Sequence, residues 1–158
     1  MAGPNIEAVP WDTWCMSKRI LVPVDGSDHA EAALSFVVEN SSDATVVLLH
    51  VINPAEAGYN PEASVPSFSE DWYEQKRTNA ETLFDTLETV ADEAGVADVD
   101  RALKVGRPIQ TIVDYADDRD IDQIVMGSHG RSGMSRILLG SVAETVVRRA
   151  TVPVTVIR

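Results

Sequence analysis

The sequence predicts an α/β fold, an open five-stranded parallel sheet flanked by helices on both faces and Rossmann-like in outline. Strand-like apolar runs alternate with segments whose apolar residues recur at helical spacing. The run "ATVVLLHV" is almost continuously apolar, the mark of a strand buried on both faces. Four glycines, Gly127, Gly130, Gly133 and Gly140, then crowd the span between the fourth strand-like run and the last helix-like one.

Taken in order, "RILVPV" is a strand ending at Asp25, and Ser27 is placed to cap a helix that turns Ala30, Ala33, Leu34, Val37 and Val38 inward. "ATVVLLHV" is the second strand. The segment "NPAEAGYNPEASVPSFSED" holds three prolines and little pattern, so a mobile loop is expected over 53–68. A long helix follows with Leu83, Leu87, Val90 and Ala94 on its inner stripe and Gly95 as its stop. "VDRALKV" mixes charge into a β pattern and reads as an edge strand, and Pro108 opens a helix with Ile109, Ile112, Val113 and Ala116 inward. "DQIVMGS" is a short buried strand, "SVAETVVRRA" a helix with Val142, Val146 and Val147 on one face, and "VPVTVIR" the last strand. Pro153 lacks an amide hydrogen, so that strand starts there or lies at an edge. The first seventeen residues, with Pro4, Pro10, Trp11 and Trp14, show no periodicity and read as a disordered extension ahead of a single domain over 18–158; "MSKRILVPV" itself reads like a protein start.

Composition excludes several classes. One cysteine, Cys15, rules out an internal disulfide framework, and His29, His50 and His129 lack the paired spacing of a zinc site. No apolar run approaches the eighteen or more residues of a membrane helix, and the opening residues lack a leader pattern, so a soluble cytoplasmic protein is expected. The formal charge of -12 argues against general nucleic-acid binding, and three lysines against ten arginines point to a salt-rich, halophilic cytosol. From Gly127 to Arg158, five arginines face one acid, Glu144, so this end is a basic island of +4. Arg148 and Arg149 suit the dipole at a helix's last turn, whereas Arg131 and Arg136 have no such role.

The glycine-rich span can do chemistry. A reversal of strand order leaves a crevice at the carboxyl ends of the strands, where both Asp25 and Gly127 fall. The first amides of the last helix have no partner inside it, and with the helix dipole and the Ser141 hydroxyl they form an anion site. The alternative is local: Ser141 and Glu144 fit the S-x-x-E capping box, in which the helix satisfies its own amides. Neither G-x-x-x-x-G-K-[ST] nor a G-x-G-x-x-G after the first strand is present, so a P-loop NTPase and a dinucleotide enzyme do not fit.

"Gly127-Ser-His-Gly130", nine residues, then "Gly140-Ser141" matches the G-x2-G-x9-G-[ST] signature of the nucleotide-binding branch of the universal stress protein family. "ILVPVDGS", "VVLLHV", "DQIVMGSHG" and "PVTVI" resemble that family in the same order, over 18–158, and place the fold with the adenine nucleotide alpha hydrolase-like group. The resemblance implies that backbone at Pro23, Val24 and Val51 holds adenine. It also implies that Asp25 faces the ribose or a Mg2+ or Mn2+ ion bound through the phosphates. The phosphates would lie on Gly127, Ser128, His129, Gly130, Arg131, Gly140, Ser141 and Val142, with Met126 beside them. Plainer roles stand next to these. Asp25 could cap a turn, Val24 and Val51 could be wall or core, His129 could fill a turn, and His50 reads as a core residue rather than a catalyst. The function implied is an ATP-binding regulatory protein of the stress response, with ATP, ADP or AMP resident. It would form an antiparallel homodimer through strand 152–157 and serve a downstream protein partner, with no nucleic acid and no membrane involved. The alternatives are a slow ATPase or nucleotide-transferring enzyme, for which no general base is evident, and a partner-binding module that does not use nucleotide.

Overall fold

The computed structural model describes residues 17–58, 69–96, 98–130 and 139–158. The described chain runs β1 (Arg19–Pro23), α1 (Asp28–Asn40), β2 (Thr45–Ile52), a 3-10 turn (Pro54–Ala57), α2 (Glu70–Glu93), β3 (Val99–Val105), α3 (Pro108–Asp118), β4 (Gln123–Gly127), α4 (Ser141–Arg149) and β5 (Val154–Ile157). All five strands are parallel in the order β3-β2-β1-β4-β5. "VDRALKV" is an edge strand, as its charges require, and β5 forms the other edge with Pro153 just ahead of it.

Period-two alternation sends β1 and β2 residues to two separate cores. Ile20, Val22, Val46 and Leu48 meet Leu34 and Val37 of α1 and Phe84 and Leu87 of α2. Leu21, Val47, Leu49 and Ile124 meet Ile112 and Val113 of α3 and Val146 of α4. Burial on both faces explains why β2 is apolar at nearly every position. Ser27 caps α1, its hydroxyl accepting from the Ala30 amide at 3.3 Å. The five inward residues of α1 are those its spacing predicts. The hydroxyl of Ser17, a position assigned above to the extension, donates to the Asp43 carbonyl at 2.7 Å; residues 1–16 lie outside the described residues.

Three local readings are corrected. In α2 the buried stripe is Ala80, Phe84, Leu87 and Ala91, while Leu83 is half-buried, Val90 is 40% exposed and Ala94 is exposed. Both stripes share Leu87 and both have helical spacing. The one that wins buries the large Phe84 ring and uses two alanines to approach the sheet. In α4 the small Ala143 takes the inner position with Val146, and Val147 is left 46% exposed; in α3, Ile109 is only half-buried. The expected loop 53–68 begins with a 3-10 turn, where the Asn53 side chain accepts from the Ala55 amide at 3.1 Å, and residues 59–68 lie outside the described residues. Among the described residues no helix is long and apolar enough to cross a membrane.

Gly95 ends α2 as predicted, and the structure shows how. Its φ of +85° lets its amide reach the Asp92 carbonyl while the Val96 amide reaches Ala91, each at 3.0 Å. Gly95→Ala is therefore expected to lower stability by about 1 kcal/mol, read as a reduced urea midpoint with an unchanged m-value.

Candidate functional site

The chain leaves β1 in one direction, toward β2 and β3, and returns to lay β4 on its other side. β1 and β4 pair only at Ile20↔Gln123 and Leu21↔Ile124, then part. The cleft that opens beyond them measures about 800 Å³. Such a switch point, at the carboxyl ends of parallel strands, is where open α/β sheets take ligands. Pro23, Val24 and Asp25 line it from β1, Val51 from β2, Met126, Gly127, Ser128, His129 and Gly130 from β4 and its turn, and Gly140, Ser141 and Val142 from the start of α4. Arg131 lies outside the described residues, as do Gly133 and Arg136. The fold also brings in His50, Asn53, Glu56, Pro108 and Ile112, which no local motif marks. His50 could have been found from its place in the register, since it follows the last β2 residue paired with β1.

The glycines serve close backbone packing. A Cβ at Gly127 would stand 2.6 Å from the His29 Cβ and 2.7 Å from its carbonyl carbon and oxygen, so α1 sits directly on the end of β4. A Cβ at Gly140 would meet the Ser128 carbonyl at 2.9 Å, and one at Gly130 would meet Asp25 Oδ2 at 2.8 Å. Ser128, 1% exposed, is locked through its backbone. Its amide donates to the Ile157 carbonyl and its carbonyl accepts from the Gly140 amide, both at 2.7 Å. Its hydroxyl is 3.0 Å from His129 Nδ1. His129 Nε2 is enclosed without a hydrogen-bond partner among the described residues, and its ring centroid lies 5.4 Å from that of His29.

The capping box does not form. Gly140 occupies the cap of α4, no side-chain bond among the described residues caps the helix, and Ser141 stands at the first helical position, exposed. Glu144 pairs instead with Arg148 at 2.8 Å. Asp25 does take up the turn role, Oδ1 accepting from the Ser27 amide at 3.0 Å, while Oδ2 faces Gly130. Among the described residues no lysine or arginine lines the cleft, and Asp25 and Glu56 are its carboxylates. No cluster of three metal-ligating side chains occurs among them either, so a cation here would need most of its ligands from a bound phosphate or water.

β2 continues past β1. Their register stops at Pro23↔Leu49, whereas β2 remains paired with β3 as far as Ile52. The Val24 amide donates to the Leu49 carbonyl and the Gly106 amide to the Ile52 carbonyl, at 2.8 and 3.0 Å. Strand alternation thus turns the Val51 amide and carbonyl toward the β1 side, into the cleft. His50 Nδ1 lies 2.8 Å from the Val24 carbonyl.

The Universal stress protein family matches residues 16–158. The chain belongs to that family. Universal stress protein MJ0577 of Methanocaldococcus jannaschii is 34% identical, with 90% of this chain and 96% of that protein covered, and its solved structure superposes with a TM-score of 0.76. UspA from Lactobacillus plantarum gives a TM-score of 0.76 at 28% identity, over 89% of this chain and 97% of that one. The universal stress protein from Archaeoglobus fulgidus, solved in complex with dAMP, gives 0.61 at 28% identity, over 90% and 98%. The five-stranded parallel architecture is that of these neighbours.

The packing at Gly127 separates structural from ligand-linked glycines. Gly127→Ala should cost about 1–3 kcal/mol in urea denaturation whether or not any ligand is present, because the atoms it meets are the His29 Cβ and carbonyl, which are fixed by α1.

Proposed function

We propose that the chain binds an adenine nucleotide, ATP or ADP, in the switch-point cleft and acts as a nucleotide-dependent regulator of the stress response in a salt-rich cytoplasm. The observation that carries this reading is that the cleft presents, at two ends, backbone with no partner among the described residues. At one end, the Val51 amide and carbonyl point into the cleft and offer the donor–acceptor pair that adenine's N1 and N6 complement; guanine presents the opposite pair. At the other, α4 begins without a side-chain cap among the described residues, so its first amides and dipole suit phosphate oxygens. Gly130, Gly140, Ser141 and Val142 border that end, and Arg131 is assigned to it from sequence. The dAMP carried by the Archaeoglobus fulgidus relative supports an adenine nucleotide as ligand.

Lys76 already neutralises Glu56, and no described lysine or arginine lines the cleft to meet phosphates, which favours a Mg2+ or Mn2+ ion brought in with the nucleotide and contacted by Asp25. That residue would hold the ion through a single carboxylate, and the ion would neutralise phosphate charge. Binding rather than turnover is proposed, because Asp25 is tied to the Ser27 amide and Glu56 to Lys76 at 2.8 Å, leaving neither placed as a general base. The test is direct: denature protein purified without added ligand, identify the released small molecules by mass, then titrate ATP, ADP and GTP with Mg2+. Near-stoichiometric adenine nucleotide, with ATP preferred over GTP by about 100-fold or more, is expected. Affinity should persist in 1 M salt, where the Debye length is about 3 Å and the overall charge of -12 no longer matters. Protein that is empty and ignores ATP and Mg2+ in high salt would reject the reading.

We also propose an antiparallel homodimer through β5. The two sheet edges differ: β3 carries Asp100, Arg101 and Lys104, and Arg101 is held by Asp85 and Glu88 of α2. Its guanidinium, hydrogen-bonded to Glu88, holds that carboxyl below the ordinary range. β5 reads Val-Thr-Val-Ile, uncharged and half-buried throughout. Pro153 and Ile157 direct their carbonyls to β4, so Val154 and Val156 point their backbone groups outward. Val156→Pro removes one outward amide and none of the β4–β5 bonds. It should convert a dimer to a monomer in light-scattering chromatography, and a persistent dimer would place the interface elsewhere.

A further inference from the structure

In a continued parallel ladder the next rung after Val24 N–H to Leu49 C=O would run from the Val51 amide to the Val24 carbonyl. That rung is replaced. The Val24 carbonyl is 2.8 Å from His50 Nδ1, and because a carbonyl only accepts, the ring nitrogen carries the proton and donates. Here a side chain of β2 takes the acceptor that the β2 backbone would otherwise use, one residue beyond the end of the β1–β2 register.

We propose that His50 is a positioning residue that sets base specificity: by occupying the Val24 carbonyl it stops the ladder and keeps the Val51 amide and carbonyl open for the purine of a bound nucleotide. The inference rests on the nucleotide reading given above. It makes His50 neither catalyst nor mere core filler. The residue lines the cleft, is half-buried, and acts through Val24 and Val51 rather than on phosphate. The base then completes the sheet as a short extra strand would, pairing with the backbone that His50 has withheld from β1.

The test uses the full chain and reads the Val51 amide by hydrogen exchange. In ligand-free wild-type protein this amide should exchange at nearly the unprotected rate and become protected when ATP and Mg2+ are added. In His50→Phe, which keeps a ring but has no donor, the Val24 carbonyl is released to the Val51 amide. Protection should then appear without ligand, ATP affinity should fall about tenfold or more, and the preference for ATP over GTP should shrink. His50→Gln, which restores a side-chain donor, should recover most of the affinity and preference. A strongly protected Val51 amide in ligand-free wild-type protein overturns the proposal without any variant. So does a folded His50→Phe protein with unchanged affinity and base preference. Tight wild-type binding with an indifferent His50→Phe rejects this inference alone, whereas a wild-type protein that binds no adenine nucleotide rejects the nucleotide reading as well.

Discussion

β1 and β4 pair at only two positions, and the cleft depends on where they part. Beyond Leu21↔Ile124 each strand continues for a few residues without the other, and α1 closes the gap from one side by resting its first turn on the end of β4. A Cβ at position 127 would force that contact to shift. The ladder between β1 and β2 runs two residues further along β1, to Pro23↔Leu49, and then stops as well. Among the described residues, backbone without a partner therefore collects at one place, although backbone polar groups inside a protein are almost always paired.

The glycine signature acquires a different physical meaning in this setting. Its spacing is compatible with a phosphate cradle, yet at Gly127 and Gly140 the close neighbours are the protein's own backbone at His29 and Ser128. These glycines bring elements together closely enough for a cradle to exist. Gly130 is the one whose nearest neighbour is a side chain of the cleft, Asp25. Positive φ, a common reason for glycine, applies at Gly26, Gly58 and Gly95 rather than at these three.

Much of this was legible in sequence because the signals were local. The two-sided burial of β2, the α1 stripe after Ser27, the stop at Gly95 and the charged edge strand each follow from a few neighbouring residues. The twelve described residues that the family resemblance assigns to the site do line one cleft. What sequence misjudged were choices between equivalent local options. Two stripes of α2 share Leu87, and only contact with the sheet selects the one with Phe84; Val147 loses its expected place to the smaller Ala143. The S-x-x-E pattern at Ser141 is genuine in spelling but shifted by one residue in the helix, since Gly140 takes the cap. His50 was passed over because an isolated histidine in an apolar strand looks the same in sequence whether it fills space or interrupts a ladder.

Ser128 gives the architecture a mechanical property. Its amide holds the last residue of β5 and its carbonyl holds the residue before α4, so the chain's final strand and the helix start at the cleft are tied to one residue. Load applied to one is borne by the other. Thermodynamic linkage then makes the coupling reciprocal: whatever free energy an occupant of the cleft gives to strand pairing at the far edge, strand pairing returns to the occupant. One buried serine thus bonds both to the sheet's outer strand and to the helix start that borders the cleft.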